Sequence, residues 1–253
     1  MMRLLRQLLR VEWLRVIVLT ARYYFYARLL GRLRAYEDAS GDVSENTVKY
    51  NLSAFSRPLL LRRTAVLLRP FSVIEGLGPD SRILVVGPRS EDDLLHLAGY
   101  GFRNVRGVDL ISYSPHVDLG DMHALAYPDD SFDAVLYGWV LVYSDAPQRA
   151  ALEALRVVKD GGLIGIGAEH YPDVGSAPGG PGYAIGGRRI NTARDHLELF
   201  APHVKHVFFL HDAGDRVPAR MSNTAVIFSV SKGGPPGQAP AKLAVAAGAT
   251  AYR

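Results

Sequence analysis

Between residues 83 and 230, short β-branched apolar runs alternate with amphipathic stretches of helical length. That alternation constrains the fold more than any other feature of the chain. Residues 83–86, 105–110, 132–140 and 163–168 read as strands, and 204–210 and 224–230 as two closing strands. Residues 91–98, 146–158 and 192–200 carry helical spacing between them. Glycines at 99 and 101 stop the first of these helices, and Asp160-Gly161-Gly162 turns the chain into the fourth strand. Such alternation builds βαβ units, hence a mainly parallel sheet with right-handed crossovers and helices on both faces. Ligands of these sheets sit beyond the carboxyl ends of the strands, where strand order reverses. The stretches to watch are therefore 87–91, 109–110, 120–122, 139–145 and 169–171.

The flanks differ in character. We read residues 1–75 as an N-terminal helical extension or lid, 76–232 as the α/β domain and 233–253 as a disordered tail of low complexity. Within the extension, 36–56 is expected to be a loop followed by a short helix. Residues 59–74 are expected to be helical, with Pro58 near the start and Gly76, Gly78 and Pro79 ending it. Residues 172–189 are rich in glycine and proline and are expected to form a loop or lid.

Charge is distributed unevenly. The first 34 residues hold Arg3, Arg6, Arg10, Arg15, Arg22, Arg28, Arg32 and Arg34 against the single acid Glu12, and the remainder is slightly acidic. A general nucleic-acid binder is not expected from that pattern. The longest charge-free run there, between Arg15 and Arg22, is far short of the roughly 20 residues a membrane span needs. No secretory cleavage pattern follows it. Leu4, Leu5, Leu8, Val11 and Leu14 recur at helical spacing, with Trp13 and the run Tyr23–Tyr26 adding aromatic bulk. One reading is a basic amphipathic helix in peripheral contact with an anionic membrane or on a partner; the other is a helix packed on the core with its arginines solvated. The chain has no cysteine, which excludes disulfides, thiolate zinc sites and a cysteine nucleophile, and fits a cytoplasmic location.

Three segments, in order and at the right spacing, resemble the class I S-adenosylmethionine-dependent methyltransferases. They are VRGVDL, ending on Asp109 and Leu110; DLGDMHALAYPDDSFDAVLYGWVLVYSD; and ALEALRVVKDGGLIGIG. Together they cover about 150 residues. The resemblance implies a Rossmann-like, doubly wound, mainly parallel seven-stranded sheet and S-adenosyl-L-methionine as cofactor. It implies Asp109 on the ribose hydroxyls, with Leu110 beside it. Asp121 would meet the adenine amino group, Met122 would cover the ring, and Gly138 and Trp139 would line the site. The first turn departs from the family. Where an acid normally precedes a G-x-G-x-G run, this chain reads VVGPRSED: Val85 stands at the acid's place, only Gly87 remains, and Arg89 and Glu91 replace the later glycines. Gly87, Pro88 and Arg89 remain the expected cofactor-binding residues. Arg89 either pairs with the methionine carboxylate of the cofactor or fills its pocket.

Methyl transfer from a sulfonium mainly requires alignment, and a hydroxyl acceptor also gains from a general base. His170, after the fourth strand, is the favoured base because imidazole titrates near neutral pH. Tyr143 is the second catalytic candidate, and His116 and His123 follow. No His/Asp/Glu cluster has metal-ligand spacing, so no metal is expected. The expected acceptor is a small organic molecule such as a sugar, glycoside or secondary metabolite, with O-methylation favoured. Tyr23, Tyr24, Tyr50, Tyr113, Tyr171 and Tyr183 would form its wall, and Arg188 and Arg189 would meet an anionic group. A homodimer is compatible with this reading. Two alternatives stand beside it: a non-catalytic scaffold that has lost the cofactor, and a membrane-surface enzyme that modifies a lipid.

Overall fold

The computed structural model describes residues 6–36, 48, 62–170, 190, 192–212 and 222–233. The expected lid at 172–189, most of 36–56, the start of the 59–74 helix and nearly all of the tail lie outside these residues. So do Tyr50, Tyr171, Tyr183, Arg188 and Arg189.

The strands are β1 (Arg34–Ala35), β2 (Arg82–Val86), β3 (Asn104–Asp109), β4 (Ile111–Ser112), β5 (Val117–Leu119), β6 (Phe132–Gly138), β7 (Val158–His170), β8 (Val204–His211) and β9 (Ser222–Val230). The α-helices are α1 (Glu12–Tyr23), α2 (Ala65–Phe71), α3 (Asp92–Tyr100), α4 (Pro147–Val157) and α5 (Ala193–Phe200). Seven strands form one sheet in the order β5-β3-β2-β6-β7-β9-β8. Neighbours pair in parallel except at β9, which runs antiparallel to both β7 and β8. This is the doubly wound, mainly parallel sheet expected from the sequence. The one strand of this sheet that the reading did not name is β5, three residues long, and the reading also lacked the short β1 and β4 pair outside it.

Strands read as unbroken apolar runs because both faces are covered. Successive side chains alternate between two cores. Leu84, Val86, Val135, Tyr137, Ile164 and Val226 point to one face, under α4 and α5. Ile83, Val85, Ala134, Leu136 and Ile227 point to the other, under α2 and α3. Glycine occupies alternate positions of β7 where that second layer comes closest. A Cβ on Gly167 would stand 2.4 Å from the Trp139 ring. Gly101, with φ 106°, ends α3 at Tyr100, two residues past the expected end, and Thr192 with Asp195 forms a capping box that starts α5.

The N-terminal extension packs on the core, and three of its arginines bond to it, of which Arg15 is buried and Arg10 stays exposed. Arg15, 4% exposed, donates from Nε to Asp92 Oδ1 at 2.6 Å. Arg22 forks onto Glu91 at 2.6 and 2.7 Å. Arg10 donates to the Gly99 carbonyl at 2.9 Å and lies over the Tyr100 ring. Further along, β1 pairs antiparallel with β4, and Tyr36 N donates to Leu110 O. The extension thus grips the chain just after β2 and again just after β3. Removing one member of a buried ion pair strands the other charge. Arg15→Met is expected to destabilise by about 3–5 kcal/mol, with most of that recovered on adding Asp92→Asn. Urea unfolding of the three proteins checks this; an unaltered midpoint for Arg15→Met would show that the helix is not docked.

Candidate functional site

The chain leaves β2 toward β3 and β5 on one side, and later runs from β6 to β7, β9 and β8 on the other. Strand order therefore reverses between β2 and β6, whose carboxyl ends are Val86 and Gly138. A crevice for ligand opens at such a point. Gly87 continues from β2 with φ 66°, and a Cβ there would meet Val140 side-chain atoms at 2.5 Å. The surviving glycine is thus required both by its conformation and by the close approach of the loop after β6. Two bulky residues flank this point with positive φ, Arg89 at 55° and Trp139 at 61°. Non-glycine residues held in that region cost free energy and concentrate at functional sites.

Asp109 closes β3 at the crevice. Its Oδ2 accepts from Arg89 N at 2.8 Å and its Oδ1 from Ile111 N at 3.2 Å. Burial pushes this carboxyl up to about 6, against the opposing pull of those backbone donors. Leu110 follows at the strand end, half-buried. On the next segment, Asp121 Oδ1 accepts from both the backbone N of His123 (2.9 Å) and its Nδ1 (2.6 Å). The hydrogen bond from His123 leads the causes that hold Asp121 below the usual carboxylate range. The other ring nitrogen of His123 lies 2.6 Å from Ser144 Oγ, and Ser144 accepts from Ala146 N. His123 therefore brackets the Asp121 segment to the loop after β6. Met122 packs, partly buried, on the core under α4 and α5.

The first turn contains what the departing motif left unexplained. Glu91 faces away from the crevice, taken by Arg22 and by the Ser114 hydroxyl. Arg89 instead carries a buried Nε with no hydrogen-bond partner among the described residues. Two residues past Glu91, Asp93 is also buried, and its Oδ1 has no partner either. Its Oδ2 lies 3.4 Å from where a Cβ on Gly138 would stand. Burial, reinforced by the neighbouring Asp92 charge, raises Asp93 to about 7. Sequence reasoning missed Asp93, His123's bracket and Ser144. The signal for the first was present as three consecutive acids at a helix start.

Of the remaining candidates, Trp139 is buried with its ring on Gly167 and its Nε1 donating to Asn223 at 3.1 Å. Pro88 sits in the turn beside Gly107. Tyr143 ends the short turn after β6 and is 38% exposed. His170 ends β7, next to Glu169, which pairs with Arg63; the Arg63 guanidinium lies over Trp139. The carboxyl ends of β6 and β7 bring these groups to the same edge as Asp109. His116 precedes β5; its carbonyl accepts from Gly107 N, and its backbone N donates to the Ser114 hydroxyl, which in turn meets Glu91. Tyr23 and Tyr113 are buried edge to face against each other, which removes them from an acceptor wall. Among the described residues, no group of three metal-ligating side chains is present.

S-adenosylmethionine presents an ammonium, a carboxylate, a ribose diol and an adenine amino group. The crevice presents an unpartnered carboxyl oxygen at Asp93, an unpartnered guanidinium nitrogen at Arg89, and the Asp109 and Asp121 carboxylates. The residues present fit the group.

Comparison with known proteins agrees. Residues 84–166 match the family model described as a methyltransferase domain. No curated protein matches the sequence. Among solved structures, the complex between the Haloferax volcanii Trm112 methyltransferase activator and a methyltransferase is 16% identical. It covers 75% of this chain and 96% of its own, with a TM-score of 0.52. The cyclase SpnF is 18% identical over 82% of this chain and 93% of its own, TM-score 0.47. An Aquifex aeolicus SAM-dependent methyltransferase is 15% identical over 76% and 100%, TM-score 0.47. The ordered motifs, the sheet and this match agree on a methyltransferase domain over residues 84–166.

Proposed function

We propose that the chain is a class I S-adenosylmethionine-dependent methyltransferase that acts on a hydroxyl of a small organic acceptor, such as a sugar, glycoside or secondary metabolite, with His170 as general base. The carrying observation is that His170 and Tyr143 end elements at the same sheet edge as the Asp109 crevice. In this reading Asp109 accepts the ribose hydroxyls, and the backbone donors Arg89 N and Ile111 N hold its carboxylate in orientation. Asp121, fixed by His123, takes the adenine amino group, with Met122 and Leu110 beside the ring. Arg89 meets the methionine carboxylate, and Asp93 supplies a carboxyl oxygen in place of the acid missing at Val85. Gly87, Pro88, Gly138 and Trp139 shape the turn walls.

When bound, S-adenosylmethionine supplies an electrophilic methyl group. His170 would accept the acceptor's hydroxyl proton on a ring nitrogen, and Tyr143 would orient the acceptor from the rim. Trp139, Arg63 and Glu169 exclude water from that side of the crevice.

Isothermal calorimetry with S-adenosylmethionine tests the cofactor site without requiring the acceptor. Asp109→Ala is expected to weaken binding at least ~10-fold, the scale of one lost charge-assisted interaction. His123→Ala should weaken it less, because Asp121 remains but is no longer braced. Unchanged affinity in Asp109→Ala would dismiss the ribose assignment. For catalysis, His170→Ala should lower kcat by about 10²-fold or more while leaving cofactor affinity intact; retained turnover would remove it as base.

Asp93 gives a pH test in the absence of any ligand. Its folded pKa of about 7 exceeds the ordinary value of 3.8, so the folded state holds the proton more tightly than the unfolded chain. Stability from this group is full below about pH 4 and is lost as pH rises through about 7. Asp93→Asn should therefore gain on the wild type in urea midpoint between about pH 5 and about pH 8. A constant difference across that range would show that Asp93 is not buried as described.

A further inference from the structure

The outer face of α1 takes no part in the crevice. Arg15, Leu19, Tyr23 and Ala27 recur every four residues and point inward, onto the core and onto Asp92. On the opposite side Trp13, Ile17, Tyr24, Phe25, Leu29 and Leu30 face solvent, Trp13 at 64% and Leu29 at 73% exposure. From Glu12 to Leu29 the helix and the wider turn that continues it form one rod, about 27 Å long at 1.5 Å per residue. Scattered exposed apolar residues are ordinary, but a continuous ridge of this length marks a surface that meets something.

Charge identifies what it meets. Glu12 is the only acid in the first 34 residues. Arg28, Arg32 and Arg34 are exposed at the far end of the ridge. Arg28 and Arg32 lie over the Tyr23 and Tyr26 rings, and none of the three has a carboxylate partner among the described residues. Arg32 and Arg34 also line a hollow of about 480 Å³ with Arg106, Ser112 and Ser114. Only Arg106 is answered there, by Asp118. A second copy of the chain docked ridge to ridge would bring like-charged arginines together without acids to offset them. No helix among the described residues is long and apolar enough to cross a membrane.

We propose that this ridge docks the protein flat on an anionic phospholipid surface. The aromatic and aliphatic side chains enter the boundary between headgroups and acyl chains, and Arg28, Arg32 and Arg34 meet headgroup phosphates. The proposal is independent of the acceptor reading above. Full-length protein floated with vesicles tests it. It should float with phosphatidylcholine–phosphatidylglycerol vesicles, stay behind with phosphatidylcholine alone, and be released by salt. The variants Trp13→Ser/Phe25→Ser/Leu29→Ser and Arg28→Glu/Arg32→Glu should each lower the bound fraction at least ~10-fold, with unchanged urea midpoints. Failure to float with either vesicle, or equal flotation of wild type and variants, would overturn the proposal. So would a wild-type dimer that the apolar variant converts to monomer, since the ridge would then belong to a second copy.

Discussion

Glu91, Asp92 and Asp93 are three consecutive buried carboxylates, and the structure tolerates them only because cations reach in from the N-terminal helix. The start of α3 contributes favourable helix-end polarity, but one helix terminus is worth at most about 2 kcal/mol, too little to bury three charges. Arg22 neutralises Glu91 by a two-pronged contact, and Arg15 neutralises Asp92. Asp93 meets the Thr64 side chain but no cation directly among the described residues, and shifts toward its neutral form instead. The segment from Gly87 to Asp93 thereby becomes a turn whose outer half is bolted to the extension. Arg89 and Asp93, by contrast, each keep a buried polar atom without a hydrogen-bond partner among the described residues.

This arrangement accounts for the departure from the family's glycine pattern. A glycine-rich turn lets the backbone approach a ligand by having no side chains to clear. Here Arg89 adopts a left-handed backbone and Glu91 turns outward, so both side chains leave the path of the turn. Val140 then fills the space over Gly87. The same geometry that replaced glycine with charge has placed opposite charges on either side of the turn.

The sheet was legible in sequence because strands buried on both faces leave continuous β-branched runs, and because glycine and proline mark the turns between them. Strand β5 escaped because three residues, one of them Asp118, carry too little pattern. Asp109 was legible from its place at a strand end after a counted interval. The Arg15–Asp92 and Arg22–Glu91 pairs were not, since the partners are 77 and 69 residues apart and arginine on an amphipathic helix reads as solvated. Nor was the His123–Ser144 bracket, which joins loops 21 residues apart through side chains whose directions depend on the fold. Asp93 shows a different gap. The acids were visible, but which of three successive residues would be left unpaired is decided by where arginines arrive.

The two-sided character of α1 has a practical consequence. Its inner ridge supplies the counter-charges for the ligand turn, and β1 stitches the chain that follows Asp109. Cutting away residues 1–34 would therefore not isolate a catalytic core from an accessory. It would uncover Glu91 and Asp92 without Arg22 and Arg15, and take Arg34 from its place opposite Ser112. Through the Arg15–Asp92 and Arg22–Glu91 pairs the extension forms part of the electrostatic interior of the α/β sheet's first turn.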